Sequence, residues 1–161
     1  MEISHLLTAL GDTSRCRLHV VSQLEDVSDD HVAFALADTL ANDKEDDDLR
    51  VEILSSLVAR NDTPSGRVKF ANAILFALRV SNSLLVRQHA ANAAYLYLDI
   101  DGVIGCLESL ARDESEDVDV RHNAVAAIES RVSFAPCREA LERLRDVPPF
   151  ERIIKDSLDL S

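Results

Sequence analysis

The chain has no Trp, one Met, two Tyr and five Phe in 161 residues, which excludes an interior built on large rings and leaves an aliphatic one. Glycine and proline are scarce too, at four each, too few for the turns of an all-β sandwich or barrel. Cys16, Cys106 and Cys137 form an odd set without metal-type spacing, and they read as reduced thiols serving as small apolar residues inside helices. No apolar run reaches the ~18 residues of a membrane span. The opening MEISHLLTAL has no basic segment ahead of an apolar one, so a cytoplasmic location is expected. Positive charge is the remaining shortage. Seventeen Lys and Arg face 29 Asp and Glu, a formal net charge of -12 that repels phosphate backbones and anionic membranes. Direct nucleic-acid and membrane binding are therefore not expected, and a basic protein is the favoured partner.

What is abundant is Ala, Leu, Arg, Glu and Asp, a helix-forming mixture. It is also arranged periodically. The segments CRLHVVSQL, LRVEILSSL, VRQHAANAA and VRHNAVAAI each carry an Arg preceded by an apolar residue and followed by apolar residues three, four and seven positions on. Their anchors, Arg17, Arg50, Arg87 and Arg121, lie 33 to 37 residues apart, the period of two-helix repeats. The spacing puts Cys16/Val20/Val21/Leu24, Leu49/Ile53/Leu54/Leu57, Val86/Ala90/Ala91/Ala94 and Val120/Ala124/Val125/Ile128 on one side of four second, or B, helices. Ahead of them run first, or A, helices with Ile3/Leu6/Leu7/Leu10, Val32/Leu36/Leu40, Val68/Ile74/Leu75/Leu78 and Ile104/Leu107/Leu110 inward. Ser28 followed by Asp29 and Asp30, Thr63-Pro64 and Asp101-Gly102 punctuate helix starts. A last unit begins at Pro136 and puts Phe150, Ile154 and Leu158 on one face after Pro148-Pro149, as a terminal cap would.

The stretches LLTALGDTSRCRLHVVSQL and CLESLARDESEDVDVRHNAVAAI resemble the bacterial HEAT-like repeat, in which an apolar A helix and an Asp-containing turn lead into Val-Arg and an Ala-rich B helix. The resemblance covers nearly the whole chain. It implies an all-α fold, a right-handed α-solenoid of about four HEAT-like helix pairs (approximately 1–27, 28–62, 63–99 and 100–132) with a C-terminal capping helix pair at 133–161, all in one domain. It also implies a ladder between turn acids and helix arginines. Asp12, Asp43 and Asp113 match the turn acid, whereas Asn82 in the third repeat is expected to interrupt the ladder.

Two sets of candidate partner-binding residues follow. Positions pointing away from the core of the B helices give a polar row, His19, Glu52, His89 and Asn123, with Ser22, Ser55 and Asn92 beside it, the expected floor of a concave groove. Two acidic turns supply the second set, with Asp46, Asp47 and Asp48 beside Asp43 and Glu45, and Glu116, Asp117 and Asp119 beside Asp113 and Glu114. One or two acids per turn serve the dipole of the following helix. Five exceed that need and point to a basic partner.

No metal or cofactor is expected. Repeats stacked about 10 Å apart cannot converge ligands on an ion, and Asp46, Asp47 and Asp48 are contiguous instead of alternating as in a calcium loop. Deoxyhypusine hydroxylase, an enzyme of similar fold, holds di-iron with His-Glu dyads after such an Arg, where this chain has Leu18-His19, Val51-Glu52, Gln88-His89 and His122-Asn123. Glycine-rich phosphate loops, nucleophile elbows and paired Cys motifs are absent. The expected function is a non-enzymatic protein-interaction module such as an immunity or inhibitor protein; the alternative is a HEAT-like lyase or isomerase subunit holding a chromophore.

Overall fold

The computed structural model describes residues 2–12, 17–79 and 81–160. Among these the fold is all-α, with ten α-helices, two short 3-10 segments and no strand. In chain order the helices are α1 (Ile3–Gly11), α2 (Leu18–Leu24), α3 (Asp30–Leu40), α4 (Asp47–Ser56), α5 (Pro64–Ala77), α6 (Leu84–Ala93), α7 (Val103–Arg112), α8 (Val118–Glu129), α9 (Ala135–Leu144) and α10 (Glu151–Asp159). The chain divides into two compact units, Met1–Ala90 and Ala91–Ser161.

In the first unit α1 packs on α2, α3 on α4, α3 on α5 and α2 on α4. Helix starts are fixed by local chemistry. Asp29 accepts from the backbone N–H of His31 and Val32 at 2.8 and 3.3 Å, which makes it, and not Ser28, the cap of α3. Thr63 caps α5 by accepting from Gly66 N–H at 3.2 Å, with Pro64 in the first turn. Ser28 instead reaches across to Asn61 O at 2.6 Å. Asp30 does the same, receiving the Thr63 hydroxyl on one oxygen and Ser65 Oγ on the other, at 2.9 Å. The starts of α3 and α5 are thus stitched together. Gly66 permits their close approach, since a Cβ there would sit 3.1 Å from Ala33 Cβ and 3.2 Å from Asp62 Cβ.

In the second unit α7 packs on α8 and α9, α8 on α9, and α9 on α10. Gly102, at φ 86°, supplies the left-handed residue from which α7 departs. The inward set is Val103, Leu107, Ala111, Val120, Ala124, Val125, Ile128, Leu141, Leu144, Phe150 and Ile154, all buried.

The Arg-anchored apolar positions are buried wherever they are described: Val20, Val21, Leu24, Leu49, Ile53, Leu54, Leu57, Val86, Ala90, Ala91, Ala94, Val120, Ala124, Val125 and Ile128. Cys16 lies outside the described residues. The first helices follow the expected phase less well. Ile3 and Val68 are 39% and 45% exposed, while Phe70, Ala71 and Ala77 occupy the core face of α5. Alanine-rich helices bury more than one stripe, and counting only large aliphatics misplaces that stripe by a few positions.

Candidate functional site

Guanidinium groups of the second helices tie those helices to neighbouring turns. Arg50 is 1% exposed and spans two helix pairs: its Nε donates to Leu40 O at 2.9 Å, and its Nη2 donates to Asn82 Oδ1 at 2.8 Å. Asn82 in turn donates from Nδ2 to Phe76 O at 2.8 Å and accepts Arg87 Nη1 on its own carbonyl at 2.9 Å. Arg121 repeats the arrangement, with Nε on Ala111 O at 3.1 Å, Nη2 on Pro148 O at 2.6 Å and the guanidinium 5.2 Å from the Phe150 ring centroid. Arg17 donates to Leu10 O at 3.3 Å and pairs with Glu45 at 2.5 Å. A rigid planar fork suits this task, closing the carbonyl end of its own first helix while gripping a turn about one repeat further on. The expected interruption at Asn82 is therefore not observed. Its neutral amide is itself the acceptor, so the ladder does not depend on an acid at every turn.

The Arg50 guanidinium is held below the ordinary arginine range by burial, with Asp47 and Asp43 pulling in the opposite direction. Arg17 moves upward instead, chiefly through its hydrogen bond to Glu45. Sequence reasoning missed a further pair. Arg60 and Asp62 form a fork with both side chains almost wholly buried, N–O distances being 2.5 Å for Nη2–Oδ1 and 3.0 Å for Nε–Oδ2. The same guanidinium donates to Leu24 O at 2.8 Å and Val27 O at 3.0 Å and lies 5.3 Å from the Phe70 ring centroid. It closes the carbonyl end of α2. The visible signal was an Arg-x-Asp ahead of Thr63-Pro64.

The acidic turns divide their work. In the first, Asp46 caps α4 by accepting from Asp48 N–H at 2.8 Å, Asp47 stands 3.9 Å from Arg50, and Glu45 belongs to the Arg17 ladder. In the second, Asp117 caps α8 through the N–H groups of Asp119 and Val120 at 2.9 and 3.4 Å. Glu116 accepts from Asp117 N–H at 2.8 Å. Asp113 accepts from the Ser115 hydroxyl and N–H at 2.6 and 2.9 Å, which holds its carboxyl below the usual carboxylate range. Structural duties thus absorb more of these acids than the sequence suggests. Exposure nevertheless remains high: Asp43, Asp46, Asp48, Asp113, Glu114 and Asp119 all face solvent.

His19, Ser22, Ser55 and Asn92 are exposed, while Glu52, His89 and Asn123 are half-buried. One residue further along the helices, Gln23 is exposed, whereas Ser56, Ala93 and Ala127 are buried. Ser56 Oγ is occupied by Ile53 O at 2.8 Å and Ser55 Oγ by Val51 O at 2.9 Å. The structure places His19, Glu52, His89 and the Asp46–Asp48 turn in the first unit, and Asn92, Asn123 and the Glu116–Asp119 turn in the second. Among the described residues no group of three or more His, Cys, Asp or Glu is placed to hold a metal ion. Cys106 is half-buried and Cys137 buried, and burial pushes both thiols up, the reverse of what an activated nucleophile needs. No helix among the described residues is long and apolar enough to cross a membrane. No protein-family model matches the chain, and no curated protein matches it either.

Proposed function

We propose that this protein is a non-enzymatic binding module that captures a basic protein through its acidic turns, with the polar faces of the second helices contributing hydrogen bonds. HEAT-like repeats stacked in a right-handed sense are part of the same reading. The Arg ladder and the buried B-helix stripes support it, since both join one helix pair to the next.

One observation carries the functional reading: acids that remain solvent-facing beside the caps and ladder contacts described above. Asp43, Asp48 and Glu114 have no capping duty and point into water, within a chain of net charge -12. Acid clusters of this kind attract a cationic surface over a Debye length of about 8 Å at physiological salt and speed its docking. A cationic toxin or nuclease held by an immunity or inhibitor protein is the concrete partner class that fits.

The test is capture on the immobilised chain at low salt, followed by titration of the captured protein against Asp43→Lys/Asp48→Lys/Glu114→Lys. The caps Asp46 and Asp117 are left intact, so helicity should not change. The reading expects a captured protein of basic isoelectric point, release by roughly 0.5 M salt and a weakening of about tenfold or more in the variant. Undiminished affinity in the variant would remove the acidic turns from the interface.

A further inference from the structure

We infer that the first unit carries a second docking surface of opposite chemistry, a cleft between α3 and α5 that takes an acidic amphipathic peptide segment. Residues 64–79 contain Arg67, Lys69 and Arg79 and no Asp or Glu, in a unit with 9 basic and 14 acidic residues. The cleft opens beside this strip, with a volume of about 440 Å³, walled by Ala37, Asp38 and Ala41 on the α3 side and by Lys69, Asn72 and Phe76 on α5, with Arg79 at its end.

Both cations of the lining, Lys69 and Arg79, lie over aromatic rings. Lys69 Nζ lies 5.8 Å from the Phe34 ring centroid and the Arg79 guanidinium 4.7 Å from that of Phe76. Phe34 and Val68 are 38% and 45% exposed. Both cations are tethered without being withdrawn from solvent. Lys69 pairs with Asp38 at 2.6 Å, but the two side chains are 40% and 66% exposed, and exposed pairs of this kind are easily exchanged for another carboxylate. A helical peptide with acids and apolar residues on adjoining faces satisfies both parts: its carboxylates meet Lys69 and Arg79, and its apolar side chains cover Phe34 and Phe76. A nucleic-acid strand fits less well, because it brings a charge with every phosphate against few cations and against the repulsion of the whole chain. Paired with the acidic turns, the cleft makes the protein an adaptor holding two chemically opposite partners.

The test uses a fluorescein-labelled peptide of about fourteen residues, built from Glu, Leu and Phe with helical spacing, read by fluorescence anisotropy with the full chain. The controls are the same peptide with Lys for Glu, and an oligothymidylate of similar charge. Saturable binding of the acidic peptide, weakened roughly tenfold by Lys69→Glu/Arg79→Glu and severalfold by Phe34→Ser, is the expected result, with helical circular dichroism unchanged in both variants. Asp43→Lys/Asp48→Lys/Glu114→Lys should not weaken this binding, which separates the cleft from the acidic turns. Absence of saturation, equal binding of the Lys peptide, binding of the oligothymidylate as tight as that of the peptide, or variants that bind like the unmodified chain would each overturn the inference.

Discussion

Asn82 does more for this fold than its size suggests. Its Oδ1 holds the buried Arg50, its Nδ2 meets Phe76 O and its backbone carbonyl receives Arg87. Asn82→Ala should lower unfolding free energy by about 1–3 kcal/mol, because it strands one arm of a buried guanidinium. Asn82→Asp is the sharper probe. It offers Arg50 a charge but turns a carboxylate oxygen toward Phe76 O, at a position where the amide donates across 2.8 Å. Urea denaturation should therefore show Asn82→Asp to be no more stable than the unmodified chain; a gain of a kcal/mol or more would mean that the donor side of the amide is idle. Asp30 makes a second residue-scale prediction. Hydrogen bonds from Thr63 and Ser65 hold its carboxyl below the usual carboxylate range. A depressed folded-state pKa contributes stability above the unfolded-state value near 3.9 and loses it as pH falls through the lower folded-state value. The midpoint of thermal unfolding should thus fall more steeply below about pH 4 in the unmodified chain than in Asp30→Asn. Parallel profiles would show that the α3–α5 stitch does not depend on the charge.

At the scale of the helix, legibility tracked how strongly one residue fixes phase. Three of the B helices have an Arg, Arg17, Arg50 or Arg121, whose fork meets a carbonyl of the preceding helix, and that requirement locks the apolar stripe; Ile53, Leu54, Ala124 and Val125 are all buried where the spacing puts them. The A helices have no such anchor. On α5 the pattern admitted Val68 as inward beside Ile74, whereas the Gly66 contact with Ala33 turns Phe70 and Ala71 to the core along with Ile74. The α3–α5 cleft was equally hidden, because an apolar count gives no weight to a helix whose outer face is basic. Caps were partly legible. Acids ahead of α8 were visible, but which one caps depends on backbone angles, and Asp117, at φ -57° and ψ 137°, is the residue placed to do it. Asp117→Ala should cost about 1 kcal/mol and Glu114→Ala almost nothing. Equal losses in chemical denaturation would contradict the division of labour among the acids.

Across the whole chain, the charge divides into net -5 for residues 1–90, with 9 basic against 14 acidic residues, and net -7 for residues 91–161, with 8 against 15. Each unit is acidic by itself, and each displays one of the two acidic turns. Composition made that field plain from the start. It could not show which acids are spent on caps and ladders, since that division is made by the guanidinium groups and helix ends they meet in the folded chain. The most direct measurement is amide hydrogen exchange on the protein with and without its captured basic partner. The account predicts slowed exchange at residues 43–48 and 113–119 and little change along α5. Protection confined to α5, or none at either turn while the partner is bound, would contradict it.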